Sequence, residues 1–227
     1  MNGPRALLTD FGGVLTSSVT DAIRSWSSDV SGDPGFVLDL LRTDQEAARL
    51  LAEHECGRID EAGFEAGMAL RMRRYGVDPA TGLAAGIQAR LTPDLAMLDT
   101  ITGLRAAGVP VAVVSNSLGD DCYRGYDLAT LADVVVVSAE VGVRKPSRRI
   151  YALACELLGV EPTEALMVDD LQQNLDGAAR LGTRGLLHSP TTPTARLLSD
   201  WFAAAPALRT AAADAAPTTM IRTTREE

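Results

Sequence analysis

Residues 7–13 read LLTDFGG, a short apolar run that ends in a carboxylate and a double glycine. Residues 7–9 have the composition of a short buried strand, and Asp10 stands where that strand ends. The glycines that follow allow the chain to turn sharply at this point. The stretch therefore predicts an N-terminal strand that delivers Asp10 to one edge of a sheet.

Further apolar runs have the length and composition of buried parallel strands. They cover residues 111–115, 134–137, 166–170 and 185–187. Helical patterns lie between these runs, with start signals at Thr92-Pro93 and at Ser147 and a stop signal at Gly159. A third helix is expected over residues 171–181. Buried strands that alternate with helices predict an α/β fold with a doubly wound, Rossmann-like parallel sheet.

Residues 17–90 interrupt this alternation, because they show helical patterns and no convincing strand. Asp33-Pro34 marks the start of one helix, which is expected to continue through Leu51, and Asp60 can cap another. We therefore expect an α/β core domain formed by residues 1–16 and 91–203, with residues 17–90 as an inserted α-helical domain. Residues 204–227 are rich in Ala, Thr, Pro and Arg without an apolar period, and we expect this tail to be disordered.

Composition and charge narrow the classes of function. The chain has 227 residues and a formal net charge of −9 at pH 7, which argues against nucleic acid or an anionic membrane as the main partner. Its three cysteines are widely spaced without a CxxC pair, and its N-terminal apolar run is too short for export or membrane spanning. These features favour a cytoplasmic protein, and they leave the oligomeric state open.

Polar side chains stand at the ends of three of the predicted strands. Asp10, Ser115 and the pair Asp169-Asp170 occupy these positions, and the carboxyl ends of parallel strands share one edge of the sheet. Carboxylates that lie close together need a cation between them, and an all-oxygen ligand set suits Mg²⁺. Such a Mg²⁺ ion typically shares its coordination with a substrate phosphate. Ser115 and Lys145 would add a hydrogen bond and a positive charge to that phosphate.

The same segments resemble the four motifs of the haloacid dehalogenase-like hydrolases, in the same order, over residues 7–185. Asp10 matches the nucleophile of the first motif, and Ser115 matches the phosphate-binding residue of the second. Lys145, in the segment GVRKP, matches the lysine of the third motif. The resemblance implies catalytic roles for Asp10, Ser115 and Lys145, and substrate binding by Ser115, Asn116 and Lys145.

The acidic pair Asp169-Asp170 matches the fourth motif of that family. The resemblance therefore implies a Mg²⁺ site made by Asp10, Asp169, Asp170 and the backbone carbonyl of Gly12. The helical insert resembles the cap of one subgroup, and its residues 55–59, ECGRI, are similar to a cap segment of sugar-phosphate phosphatases. The family implies hydrolysis of a small phosphorylated metabolite, with Mg²⁺ as the cofactor.

Gly12 departs from the Asp-x-Asp pattern of most phosphatases in that family, whose second Asp is the general acid. Glycine keeps the backbone carbonyl, so metal binding is expected to survive. A missing proton donor typically lowers the rate by ~10²–10⁴-fold, and the loss shrinks when the leaving group is a weak base. We therefore expect a Mg²⁺-dependent phosphatase that forms an aspartyl-phosphate on Asp10, with a sugar phosphate as a candidate substrate. Water or a cap residue would donate the proton.

Two other functions remain open. A 2-haloacid dehalogenase also uses a carboxylate like Asp10, but it attacks carbon and needs no metal, so the pair Asp169-Asp170 argues against it. A non-catalytic binding module of the same fold is compatible with Gly12. The chain has no Gly-x-Ser-x-Gly elbow, Walker loop or GxGxxG after a strand, which argues against a serine hydrolase and against ATP or dinucleotide binding.

Overall fold

In the computed structural model of the protein, residues 3–79, 82–203 and 219–220 are described. The strands are β1 (Ala6–Thr9), β2 (Val111–Ser115), β3 (Val134–Val137), β4 (Ala165–Asp169), β5 (Arg184–Leu187) and β6 (Thr219–Met220). All neighbouring strands run parallel, in the order β5-β4-β1-β2-β3-β6. The chain starts in the middle of the sheet, extends it to one side and then returns to the other side. The predicted doubly wound α/β sheet is thereby confirmed.

Helices cover both faces of this sheet. The helices α6 (Leu95–Ala106) and α11 (Thr194–Ala203) pack on one face, and α9 (Arg148–Leu158) and α10 (Gln172–Ala179) pack on the other. Leu7 belongs to the first of these two cores and Leu8 to the second, because successive side chains of a strand point to opposite faces. This two-sided burial explains why the strands read as unbroken apolar runs.

The inserted residues form a helical layer with a core of its own. Its helices are α1 (Val19–Ser31), α2 (Phe36–Thr43), α3 (Gln45–Glu55), α4 (Glu61–Arg73) and α5 (Leu83–Gln88). They enclose a third hydrophobic cluster around Trp26, Phe64 and Met68. We call this helical layer the cap. The chain crosses between the cap and the α/β core at two places, which an antiparallel bridge between Thr16 and Pro93 holds together.

Helix boundaries differ from the sequence-based expectation where tertiary contacts compete with local signals. Asp94, and not Thr92, caps α6 by accepting a hydrogen bond from the Met97 N–H at 2.9 Å, since Pro93 lies in the bridge to Thr16. The third helix expected in the core begins at Gln172 and ends at Ala179.

The helix expected from Asp33-Pro34 through Leu51 is two helices, α2 and α3. They meet at Asp44, whose carboxylate caps α3 by accepting from the N–H groups of Glu46 and Ala47, both at 3.0 Å. Asp60 caps α4 as expected, accepting from the Gly63 N–H at 2.8 Å.

Two short helices, α7 (Leu128–Leu131) and α8 (Ser138–Val141), flank β3, and a 3-10 turn over Pro162–Glu164 precedes β4. Within the tail, Thr219–Met220 pairs with β3 as strand β6. The expectation of disorder for residues 204–218 and 221–227 falls outside the described residues. Among the helices that are described, none is long and apolar enough to cross a lipid bilayer.

Candidate active site

The carboxyl ends of β1 and β4 bring three carboxylates and one lysine together. Asp10 follows β1, Asp169 ends β4, and Asp170 comes next. One oxygen atom from each of these three carboxylates lies within 4.8 Å of the others. The Lys145 Nζ lies 2.7 Å from the Asp10 Oδ1 and 2.8 Å from the Asp169 Oδ2. The structure thus places four of the sequence-predicted site residues in one cluster.

Burial governs the electrostatics of this cluster. It raises the pKa of Asp10 to about 7, while Lys145 acts against this rise and Asp169 adds to it. Burial also raises the pKa of Asp170 to about 6, with Asp169 adding and Lys145 opposing. For Lys145 burial acts to lower the pKa, but the attraction of Asp10 and Asp169 outweighs it and holds the pKa above its ordinary value. The charged form of each carboxylate therefore needs a cation nearby.

Asp169 is held by donors from three directions. Its Oδ1 accepts hydrogen bonds from the Asn174 side-chain amide and from the Leu171 N–H, both at 2.9 Å. Its Oδ2 accepts from the Lys145 ammonium group. By contrast, both of the contacts described for Asp10, from the Phe11 N–H at 2.6 Å and from Lys145, are made to Oδ1. Asp169 is thus an orienting group for Lys145, and neither of these two contacts engages the Asp10 Oδ2.

Ser115 and Asn116 lie where β2 ends, beside β1. Ser115 is buried, and its hydroxyl donates to the Asn116 carbonyl at 3.4 Å. Asn116 holds the backbone of Lys145 on both sides: its Oδ1 accepts from the Lys145 N–H at 2.8 Å, and its Nδ2 donates to the Lys145 carbonyl at 3.2 Å. Sequence reasoning expected Asn116 to bind substrate and missed this second role, which depends on a contact across the fold.

The two glycines after Asp10 face different neighbours. Gly13 has a φ of +80°, and a β-carbon there would collide with the Asp170 carboxylate, so only glycine combines this turn with this close approach. A β-carbon at Gly12 would lie 2.8 Å from the Val19 Cγ2. The position that carries the general acid in most phosphatases of the resembled family is therefore covered by the first residue of α1.

The cap reaches the site through the end of α3. The Glu55 carboxylate lies 2.8 Å from an Arg144 Nη1, and the Glu55 carbonyl accepts from the Ser138 hydroxyl at 2.5 Å. Burial raises the pKa of Glu55 to about 7, against the opposing effects of Arg144 and Lys145. The sequence had indicated residues 55–59 as a cap segment, but it gave no sign of the contacts that Glu55 makes with Arg144 and Ser138.

A second contact fastens the cap to the loop that follows β2. The His54 Nε2 accepts a hydrogen bond from the Gly119 N–H at 2.9 Å. Glu61 accepts from the Asp120 N–H at 2.6 Å, and the Gln88 Nε2 donates to the Leu118 carbonyl, also at 2.6 Å. The cap therefore closes over the same edge of the sheet at which the carboxylates meet.

A parallel doubly wound sheet with this carboxylate-and-lysine cluster under a helical cap defines a class of hydrolases. The haloacid dehalogenase-like hydrolase family matches residues 4–182, and the chain belongs to this family. The family membership predicted from the four motifs is thereby confirmed.

Curated relatives include both phosphatases and dehalogenases. The chain is 32% identical over 125 residues to the glyceraldehyde 3-phosphate phosphatase of Methanopyrus kandleri. The matched region covers 50% of this chain and 54% of that protein. It is 30% identical over 125 residues to the (S)-2-haloacid dehalogenase 4A of Burkholderia cepacia, and this match covers 51% of this chain and 52% of that protein. The chain thus spans about half the length of each of these relatives.

Solved structures show the same fold. The magnesium complex of a HAD family enzyme from Bacteroides thetaiotaomicron matches with a TM-score of 0.66 and 23% sequence identity, over 86% of this chain and 98% of that chain. At this level of identity the likeness concerns the fold, and the chemistry of this chain has to be argued from its own residues.

Proposed function

We propose that this protein is a Mg²⁺-dependent phosphatase that hydrolyses a small phosphorylated metabolite through an aspartyl-phosphate on Asp10. The observation that carries the proposal is the cluster of Asp10, Asp169 and Asp170 around the single ammonium group of Lys145. When all of these groups are ionised, the cluster has a net negative charge that a divalent cation would balance. A metal-free dehalogenase has no comparable use for Asp170 beside its nucleophile.

The donor set fits Mg²⁺, because it consists of oxygen atoms and leaves room for water and a phosphate oxygen. Asp10 and Asp170, with the backbone carbonyl of Gly12, are the groups that we assign to direct coordination. Asp169 has both oxygens engaged by protein donors, which favours a positioning role for it. When bound, the metal ion would neutralise charge on the phosphoryl group and bring it toward Asp10.

In the proposed reaction, an oxygen of Asp10 attacks phosphorus, and the bond between phosphorus and the leaving oxygen breaks with its electron pair going to that oxygen. Water then attacks the phosphorus of the aspartyl-phosphate, which releases phosphate and regenerates the Asp10 carboxylate. Lys145, at 2.7 Å, favours the ionised nucleophile and would bind a phosphoryl oxygen together with Ser115.

The leaving oxygen needs a proton when it is strongly basic, and Gly12 cannot donate one. In the cap, the Glu55 carboxylate forms an ion pair with Arg144, the residue that precedes Lys145 in the sequence. The pKa of Glu55 is raised to about 7. A carboxyl group with such a pKa is suited to proton donation near neutral pH. We assign Glu55 this role for basic leaving groups, and we expect weakly basic leaving groups, such as an anomeric sugar oxygen, to depart without it.

The proposal is tested by phosphate release from p-nitrophenyl phosphate and from a panel of sugar and nucleotide phosphates. Each substrate is incubated with Mg²⁺ or with EDTA, using the wild-type protein and the Asp10→Asn variant. Release that requires both Mg²⁺ and Asp10 is the expected result. Halide release from 2-haloacids in EDTA would instead identify a dehalogenase, and a folded protein without turnover of either substrate class would identify a non-catalytic module.

A further inference from the structure

Tyr123 carries a buried hydroxyl that forms no well-aligned hydrogen bond in the described part of the chain. The residue lies in the segment between β2 and α7, and its ring packs against the hydrophobic core under the site. Buried hydroxyl groups are normally hydrogen-bonded, because an unsatisfied one lowers the stability of the folded state. A hydroxyl without a well-aligned partner at this place can therefore accept one that arrives with a ligand.

The ring of Tyr123 is fixed against the residue that follows the nucleophile. Phe11 and Tyr123 meet edge to face, with ring centroids 4.9 Å apart and an interplanar angle of 74°. Burial raises the pKa of Tyr123 well above its ordinary value; Cys122 and Asp10 add to this rise, and a weak hydrogen-bonding contact with the Ser115 side chain opposes it. The hydroxyl thus keeps its proton, stands close to the predicted phosphate-binding serine and lies within electrostatic range of Asp10.

We propose that Tyr123 is a further substrate-contacting residue, whose hydroxyl donates a hydrogen bond to an oxygen of the transferred phosphoryl group beside Ser115. This role rests on the proposed function, since that function names the phosphoryl group as the ligand. A protonated donor that is already held in place by Phe11 needs no rearrangement when charge develops on the phosphoryl oxygens. The ligand oxygen would at the same time satisfy the buried hydroxyl.

The test compares Tyr123→Phe with Tyr126→Phe. Tyr126 is a matched control, because its ring also packs edge to face on Phe11, with centroids 4.7 Å apart at 83°. Tyr123→Phe is expected to lower kcat/KM for p-nitrophenyl phosphate about 10-fold to 100-fold, as the loss of one preorganised donor does. It should also weaken the binding of orthovanadate, measured by calorimetry, to a comparable extent. Tyr126→Phe should leave both quantities within about twofold of the wild type.

Thermal unfolding separates this role from simple packing. Since Tyr123→Phe removes an unsatisfied hydroxyl and keeps the ring, its unfolding midpoint is expected to equal or exceed that of the wild type. A lower midpoint that accompanies the loss of activity would show that the hydroxyl supports the fold, and it would overturn the proposal.

The outcomes also separate this proposal from the proposed function. If the wild type hydrolyses phosphate esters and Tyr123→Phe matches it in turnover and in orthovanadate binding, the role of Tyr123 is overturned and the phosphatase stands. If the wild type binds orthovanadate without turnover and Tyr123→Phe binds it more weakly, Tyr123 is supported and the phosphatase is overturned. If the wild type neither binds orthovanadate nor hydrolyses phosphate esters, both proposals are overturned.

Discussion

Gly12 and Val19 exclude a side chain from the place where most related phosphatases carry their general acid: a β-carbon at Gly12 would lie 2.8 Å from the Val19 Cγ2. Val19 is the first residue of α1 in the cap. Because a β-branched side chain has little freedom at χ1, it cannot swing aside easily. The absence of the acid is therefore built into the packing between the cap and the core, as well as into the sequence.

This contact predicts that Gly12→Asp needs a second change in order to be tolerated. Gly12→Asp alone should lower the free energy of unfolding by about 1–3 kcal/mol through overpacking, as measured by urea denaturation. Gly12→Asp with Val19→Ala should recover much of this loss and should raise the turnover of poor leaving groups relative to good ones. Val19→Ala alone is the control. A Gly12→Asp variant as stable as the wild type would refute the steric argument, and an unchanged leaving-group preference in the double variant would refute the missing-acid argument.

Removal of the metal should abolish activity and lower stability together. EDTA is expected to stop phosphate release, and Mg²⁺ should raise the unfolding midpoint of the wild type, because it binds only the folded cluster. Asp170→Asn should raise the Mg²⁺ concentration required for both effects by about 10-fold or more, an extent typical for residues that support a metal site. Asp176→Asn changes an exposed carboxylate in α10 and should leave both effects unchanged. An equal response of the two variants to Mg²⁺ would speak against a metal site at Asp170.

Because Asn116 contacts the Lys145 backbone, we expect substitutions of Asn116 and of its neighbour Ser115 to have different effects. Asn116→Ala removes both of the hydrogen bonds that hold the Lys145 backbone. It should lower kcat and also the free energy of unfolding, by about 1–3 kcal/mol. Ser115→Ala removes a hydroxyl expected to bind substrate, and it should mainly raise KM at nearly unchanged stability. The same kinetic and unfolding profile for both variants would show that Asn116 does not act through Lys145.

Glu55 should make the stability of the protein dependent on pH. Its folded pKa of about 7 lies above the ordinary glutamate pKa of 4.5, so the folded state holds the proton more tightly than the unfolded state does. The resulting stabilisation is fully present below pH 4.5 and is lost as the pH rises through about 7.

The glutamine of the Glu55→Gln variant cannot ionise. As the pH rises from 4.5 to above about 7, the wild type should therefore lose up to roughly 3 kcal/mol of unfolding free energy relative to this variant. Denaturant unfolding at a series of pH values measures the difference. Glu53→Gln, which removes a carboxylate from the same helix, is the matched control. A difference between wild type and Glu55→Gln that stays constant with pH would contradict the assignment of a largely buried, proton-binding Glu55.

Local patterns in the sequence predicted the sheet and the placement of its carboxylates. The strands at residues 111–115 and 134–137 were predicted with the bounds that the structure has, because a strand buried on both faces leaves an unbroken apolar run. Asp10 and Asp169 could be placed together because the carboxyl ends of parallel strands share an edge. A distant contact overrode a local signal at Pro93, which bridges to Thr16, and the prediction that Thr92 caps the following helix was wrong.

The sheet, the order of its motifs and the edge at which Asp10 lies could be read from the sequence, since these depend on the alternation of apolar runs with helices and on the direction of the strands. How the side chains meet depends on the packing of the folded chain: the position of Lys145 between two carboxylates, the support of its backbone by Asn116, and the packing of Val19 against Gly12. These contacts join residues from separate elements, so their distances depend on how the layers pack and are not encoded in any local pattern. The buried hydroxyl of Tyr123, which has no well-aligned hydrogen bond among the described residues, arises in the same way.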